Sequence, residues 1–157
     1  MFRKTFKHIL MIIIILFISC SLILKPIRVK GNSMYPVITD GDWVLINKIA
    51  YKFHEPKRED IIVFKLKSHN SKYIVKRVIG LENETVEIIS SKVYINNYEI
   101  HEPYVTYLSN DHFYRRLIPL DHFFVLGDNR KVSVDSRYEE IGFIDKESII
   151  GKIIFKW

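Results

Sequence analysis

Three short segments of the sequence carry residue types that together could perform nucleophilic catalysis. The first is residues 29–36, in which Gly31 permits a close backbone approach to Ser33 and Pro36 fixes the exit of the chain. A serine hydroxyl on such a turn can face a substrate, although many turn serines only hydrogen-bond their own backbone. On this segment alone, Ser33 is either a nucleophile or an ordinary turn residue.

The second segment, residues 73–80, places two cations side by side in an apolar run. On a strand, Lys76 shares a face with Ile74 and Val78, while Arg77 points to the opposite face. A lysine on a solvated edge strand serves to discourage sheet pairing. A desolvated lysine instead disfavours its charged form, and its neutral amine can accept a proton from a serine hydroxyl.

The third segment, residues 127–137, follows a hydrophobic strand and concentrates aspartates, serines and arginines beyond what a plain turn requires. Within it, Asp135 and Arg137 are spaced as a structural ion pair. Ser133 has a hydroxyl that is available to orient another polar side chain.

The elements that must position these segments are short and strand-like. Runs rich in valine, isoleucine, tyrosine and phenylalanine predict strands, and turn formers separate them. The predicted strands cover residues 43–46, 61–66, 73–79, 85–89, 92–95, 123–126 and 149–155. We therefore expect a mostly β fold, with an antiparallel domain over residues 25–157. Residues 97–122, with two prolines and three histidines, read as an excursion from its core.

The basic charge of the chain is confined to its N-terminal end. The first 30 residues contain six lysines and arginines and no acid, which accounts for the whole formal charge of +6. The remainder is electrically balanced, so no separate basic stripe is left for a phosphate backbone. Basic residues that flank an apolar run are typical of a membrane anchor. The charge pattern therefore argues against nucleic acid as a partner and for the lipid bilayer.

The apolar run itself covers residues 9–24 and contains no charged residue. At about 1.5 Å per residue a helix of this length spans about 24 Å, against about 30 Å of hydrocarbon, and snorkelling flanks can bridge the difference. We expect a single transmembrane anchor behind a short basic cytoplasmic end, residues 1–8. A cleaved secretory signal is the alternative, and residues 17–20 imperfectly match a lipoprotein box ending at Cys20. All three readings place the following domain outside the cytoplasm.

Taken together, the segments resemble bacterial type I signal peptidases, in a compact form like that of Gram-positive bacteria. Residues 33–36 look like the nucleophile box of that family and residues 41–48 like the box after it. Residues 76–80 look like the general-base box, and residues 127–137 like the C-terminal signature. Four boxes stand in the family's order behind an N-terminal anchor.

The resemblance implies a serine endopeptidase of the cell membrane that removes signal peptides from exported precursor proteins. It implies Ser33 as the nucleophile, Lys76 as the base and Ser133 as the hydroxyl that orients Lys76. It further assigns Asp135 and Arg137 to the support of that region, and it implies neither a metal nor another cofactor. The backbone N–H of Ser33 would be one oxyanion donor. Some members add a serine hydroxyl two residues earlier, where this chain has Gly31, so the second donor stays open.

An extended substrate would add to an exposed strand edge and place alternate side chains in pockets. The residues near the proposed dyad would make these pockets small and apolar, as small-x-small cleavage sites require. They are Val29, Met34, Ile38, Ile74 and Val75.

Two other functions fit parts of the sequence. A self-cleaving repressor-type protease shares the Gly-x-Ser-Met turn, but it should carry a DNA-binding segment where this chain has its apolar run. A membrane-tethered β domain that binds exported partners without catalysis would differ in failing a cleavage assay.

Overall fold

The computed structural model describes the backbone of residues 2–66 and 73–157. Side chains are described over the same ranges except for residues 2–5 and 16–20, so the side chain of Cys20 lies outside them.

The N-terminal segment is a helix, α1, at Phe2–Ile23. It therefore includes most of the predicted basic end and stops one residue before Leu24, which begins the first strand. Its described apolar side chains from Ile9 to Ile15 are exposed. Within the described residues, no helix combines the length and the apolar character needed to cross a membrane.

The rest of the chain is mostly β, as predicted. Its strands are β1 (Leu24–Arg28), β2 (Trp43–Asn47), β3 (Ile61–Lys65), β4 (Tyr73–Gly80), β5 (Thr85–Ile89), β6 (Lys92–Ile95), β7 (Tyr98–Glu99), β8 (Phe113–Leu117), β9 (His122–Leu126), β10 (Ile144–Asp145) and β11 (Ile149–Lys156). Within residues 2–66 and 73–157, a one-turn helix, α2 (Ala50–Phe53), and a 3₁₀ turn at Lys146–Ser148 complete the regular structure.

The strands form two antiparallel sheets. One has seven strands in the order β1-β2-β11-β3-β4-β9-β10, and the other has four in the order β7-β6-β5-β8. The larger sheet is curled. Lys25 on its edge strand β1 reaches β4, where it donates a hydrogen bond of 2.5 Å to the hydroxyl of Tyr73. The edge of β1 and the first half of β4 thus approach each other across the sheet.

Residues 97–122 were expected to form an excursion from the core, but part of this segment belongs to the core. Residues 97–122 supply β7 and β8, and Phe113 and Ile118 are buried against the four-stranded sheet. The Phe113 and Phe124 rings pack in a tilted arrangement with centroids 4.9 Å apart. The prolines and histidines obscured a strand that is held by pairing with β5. Within this segment, residues 100–112 between β7 and β8 and residues 118–121 between β8 and β9 lie outside the two sheets.

Candidate active site

Ser33 and Lys76 lie together although 43 residues separate them in sequence. Lys76 Nζ donates a hydrogen bond of 2.9 Å to Ser33 Oγ. Ser33 belongs to the turn between β1 and β2, and Lys76 lies at the middle of β4, paired across to Ile62 of β3. The structure therefore brings the predicted nucleophile and the predicted base into direct contact.

The turn that carries Ser33 is fixed from both sides. Its Gly31 has φ +91° and donates its N–H to Asp40 Oδ1 at 2.6 Å, which closes the loop before β2. On the other side, Ser33 O accepts a hydrogen bond of 3.0 Å from the backbone N–H of Asn129. The Gly31 N–H is thus already engaged and is not free for an oxyanion. The Ser33 N–H, by contrast, has no acceptor among the described residues.

Lys76 is a buried amine without a counterion. The residue is 4% exposed, and none of the ion pairs among the described residues includes it. Burial lowers the pKa of Lys76 from its ordinary 10.5 to about 8. Asp135 and Asp128 oppose this shift from a distance, and Arg137 reinforces it. The amine is therefore partly neutral near physiological pH.

The alternation predicted along β4 is present. Ile74 and Val78 pack into one apolar cluster, which also contains Ile62, the cross-strand partner of Lys76. Val75 packs into a different cluster, with Met34 and other residues near Ser33. Neighbouring β4 side chains thus serve different parts of the core, as a strand with both faces covered requires.

Arg77, next to Lys76, is buried but fully paired. Its guanidinium binds both oxygens of Asp128, at 2.8 and 2.7 Å, and donates to Glu59 O at 2.9 Å. Its other face stacks on the Tyr104 ring, 4.0 Å from the centroid. Burial disfavours the charged guanidinium, but the hydrogen bonds and negative charge of Asp128 favour it, and the pKa of Arg77 is raised. This ion pair was not among the interactions predicted from the sequence, although Asp128 lies within the segment at residues 127–137.

Asp135 and Arg137 form the predicted ion pair. Arg137 binds Asp135 Oδ1 through Nε at 2.7 Å and Oδ2 through Nη2 at 2.9 Å, and Asp135 also accepts the N–H of Gly127 at 3.0 Å. Arg137 Nη2 donates further to Ser133 O at 3.0 Å. The pair therefore fixes the loop, residues 127–137, that borders the dyad.

Gly127 is needed where this loop meets the nucleophile turn. A Cβ at Gly127 would lie 2.5 Å from Ser33 O and 2.2 Å from Ser133 Oγ. Larger residues are therefore excluded there.

Ser133 lies beside Gly127 and the nucleophile turn, but its hydroxyl makes no hydrogen bond to Lys76. Its Oγ is buried and has no hydrogen-bond partner among the described residues. An unpaired buried hydroxyl is unfavourable, and among the described residues Asn129 Oδ1 is the other buried polar side-chain atom without a partner. The orienting role of Ser133 stays a prediction.

The residues expected to line substrate pockets divide into two groups. Val29, Met34, Ile38 and Val75 lie in one buried cluster next to Ser33, and Met34 and Ile38 are only 1% exposed. Ile74 packs at the margin of the other cluster. Met34 and Ile38 therefore form the floor beneath the site rather than an open wall.

This geometry agrees with the outcome of comparisons with known proteins. Residues 2–157 match the family described as signal peptidase, peptidase S26. The chain belongs to this family.

Among curated relatives, signal peptidase IB of Staphylococcus aureus (strain Mu50) is 36% identical over 162 aligned residues, which cover 92% of this chain and 83% of the relative. Signal peptidase I of Leptolyngbya laminosa is 35% identical over 136 residues, covering 82% of this chain and 66% of the relative. The crystal structure of a signal peptidase I from Enterococcus faecalis V583 is similar with a TM-score of 0.55 and 34% identity, covering 64% of this chain and 98% of that one. The protein is thus a serine endopeptidase of the signal peptidase I type.

Proposed function

We propose that this chain removes signal peptides from exported precursor proteins, with Ser33 as nucleophile and Lys76 as general base. The observation that carries the proposal is the 2.9 Å contact between Lys76 Nζ and Ser33 Oγ, formed by a buried amine. Such a nucleophile and base within hydrogen-bond reach are the requirement for covalent catalysis by a serine.

The pKa of Lys76 makes the amine a usable base. With a pKa of about 8, roughly one molecule in ten carries the neutral amine at pH 7, against fewer than about one in a thousand for an ordinary lysine. The neutral amine takes the proton of Ser33 Oγ as the oxygen attacks the scissile carbonyl. The resulting ammonium then protonates the leaving amine, and water, activated by the same amine, hydrolyses the acyl-enzyme.

The backbone N–H of Ser33 is the first oxyanion donor. It belongs to the nucleophile itself and is free of intramolecular acceptors among the described residues. A preorganised donor of this kind stabilises the charge that develops on the carbonyl oxygen. Because Gly31 has no side chain and its N–H binds Asp40, a second donor has to come from elsewhere, with the substrate in place.

The acyl side of the substrate binds as an extended strand between β1 and β4. β1 pairs only with β2, and β4 pairs with β9 only from Arg77 onward. In the described structure both strands therefore keep an unpaired edge, and the contact between Lys25 of β1 and Tyr73 of β4 shows that the two strands lie close together. A peptide inserted there would place alternate side chains over Val29 and Val75, where only small apolar groups fit. This arrangement suits the small-x-small pattern before a signal-peptide cleavage site.

We propose further that α1 anchors the domain in the cell membrane as a single-pass helix, with the catalytic domain outside the cytoplasm. The uncharged run at residues 9–24 and the exposed apolar side chains on α1 support this. Anchoring would keep the site where translocated precursors emerge. Protease added to intact protoplasts should digest the domain after residue 30, whereas digestion only after lysis would place the site on the other side.

The enzymatic proposal is tested with the purified full chain and a precursor that carries a small-x-small cleavage site. Wild-type protein and a Ser148→Ala control, which changes a half-buried serine of the 3₁₀ turn away from the site, should cleave it at that position. Ser33→Ala should not. Equal cleavage by wild type and Ser33→Ala would exclude Ser33 as the nucleophile.

A further inference from the structure

Residues 102–111 cross the outside of the 127–137 loop, and we call this segment the strap. Its first end is fixed by Glu102, whose carboxylate binds Arg130 at 2.5 and 3.1 Å. Both side chains are buried, with exposures of 9% for Glu102 and 4% for Arg130. A buried bidentate pair of this kind fixes geometry as well as charge.

The second end of the strap is fixed by the other arginine of the loop. Arg137 donates to Ser109 Oγ at 2.8 Å and forms an ion pair with Asp111. Its side chain is only 6% exposed. The strap is therefore clamped at both ends by Arg130 and Arg137.

Between these clamps the strap places Tyr107 beside the nucleophile turn. The backbone of Tyr107 forms a parallel bridge with Asn129, the residue whose N–H binds Ser33 O. Its ring lies against that of Tyr35, with centroids 5.9 Å apart. Tyr35 follows Ser33 by two residues, so its Cα is at most about 7 Å from that of Ser33.

This aromatic pair is open to solvent. Tyr107 is 46% exposed and Tyr35 is 37% exposed, and neither hydroxyl has a hydrogen-bond partner in the described part of the chain. The strap does not need the Tyr107 ring for its attachment, because the two arginines supply that. Tyrosine is enriched at protein-binding surfaces, where its ring supplies apolar contact area and its hydroxyl a hydrogen-bonding group.

Ser33 stands between two different flanks. The next side chain, Met34, turns into the apolar cluster with Val29 and Val75, whereas Tyr35 turns to the strap. If the acyl part of the substrate lies along the Val29 and Val75 flank, an extended chain that passes Ser33 continues toward the tyrosines. At about 3.3 Å per residue, the second or third residue after the scissile bond reaches them.

We infer that Tyr35 and Tyr107 form the binding site for the part of the substrate that follows the scissile bond. This inference rests on the proposed function, since it assigns the leaving-group side of the same active site. The rings contact the first residues of the mature protein, and the strap determines which residues are accepted there.

The test compares two substrates that share the residues before the scissile bond. One carries a natural chain of six residues after it, and the other carries a single nitroanilide. Tyr107→Ala in the full chain should lower kcat/KM for the long substrate roughly 5- to 10-fold, the size expected for one lost aromatic contact, and leave the nitroanilide within about twofold. Tyr107→Phe, which keeps the ring, should lie between Tyr107→Ala and wild type on the long substrate.

A matched control is Tyr114→Ala, which removes another highly exposed tyrosine, on β8 and outside the strap. It should leave both substrates unchanged. If Tyr107→Ala does not fold, Tyr107→Leu provides the same comparison with an apolar side chain retained. Equal losses on both substrates, or no loss on either, would overturn the inference. If wild type cleaves neither substrate, the proposed function itself fails.

Discussion

Lys76 and Arg77 are adjacent cations on opposite faces of β4, and their surroundings have opposite effects on their charge. Arg77 is surrounded by partners: both oxygens of Asp128, the Glu59 carbonyl and the Tyr104 ring. The amine of Lys76, equally buried, has one hydrogen bond among the described residues, to Ser33 Oγ. Burial with a counterion keeps a cation charged, and burial without one lowers its pKa. The fold therefore makes one structural ion pair and one partly neutral amine, the proposed base, from neighbouring residues.

The difference has a consequence for stability as well as for chemistry. Below pH 8 the folded state has to accommodate a protonated, desolvated Lys76, and this penalty is fully present there. Because the unfolded chain binds the proton more tightly, the penalty disappears as the pH rises from about 8 to 10.5. A lowering from 10.5 to about 8 corresponds to about 3 kcal/mol at neutral pH.

The largest expected effect on cleavage activity follows from replacing Lys76 with arginine, the residue type found at position 77. Lys76→Arg keeps the positive charge but cannot deprotonate in a protein. We expect cleavage of a small-x-small precursor to fall at least about 1000-fold, as in Lys76→Ala, because the base is lost in both. A folded Lys76→Arg protein that cleaves within about tenfold of wild type would contradict the base assignment.

Removing the paired cation should damage the fold. Arg77→Met leaves Asp128 buried without its partner, and such a loss typically destabilises by about 3–5 kcal/mol. Urea unfolding at pH 7, followed by circular dichroism, measures the change. A matched Arg115→Met variant on exposed strand β8 should change the unfolding free energy by less than about 1 kcal/mol.

Removing Lys76, the cation without a counterion, should stabilise the fold rather than destabilise it. Lys76→Met relieves the desolvated charge, so we expect the unfolding free energy at pH 7 to rise by up to about 3 kcal/mol while activity is lost. The gain should shrink when the same unfolding is repeated near pH 10. Equal destabilisation by Lys76→Met and Arg77→Met would mean that the two cations do not differ in the way described.

A smaller effect on activity is expected at Ser133. Its buried, unpaired hydroxyl lies next to the nucleophile turn, but it touches neither reacting atom in this structure. As a positioning group it should be worth about 10- to 100-fold in kcat, with the fold intact. Steady-state kinetics of Ser133→Ala measure this loss of kcat. Ser136→Ala is not a suitable control, because the Ser136 hydroxyl accepts a hydrogen bond from the Val125 N–H. Wild-type turnover would reduce Ser133 to a loop residue.

Much of this architecture could be predicted because local patterns determine it. The strands at residues 85–89 and 92–95 have the predicted bounds, since β-branched alternation and the intervening turn mark them clearly. The proximity of Ser33 and Lys76 came from the resemblance of short boxes, not from periodicity. That resemblance also drew attention to Asp135 and Arg137, and their ion pair is present.

Other features depend on contacts that no local pattern records. β8 was hidden in a segment rich in prolines and histidines, because its identity comes from pairing with β5. The partnership of Glu102 with Arg130 and of Tyr107 with Tyr35 joins residues about 28 and 72 positions apart, a separation at which sequence carries no signal of pairing. The counterion of Arg77 was missed for the same reason.

The most direct test is an NMR titration of the Lys76 side chain in the wild-type full chain with isotopically labelled lysine. The resonance is assigned by its absence from Lys76→Arg. We predict that it titrates near pH 8, with the rate of acylation by a precursor peptide rising with pH over the same range. A Lys76 resonance that titrates near the ordinary 10.5 would show that the amine is not the neutral base required by the mechanism.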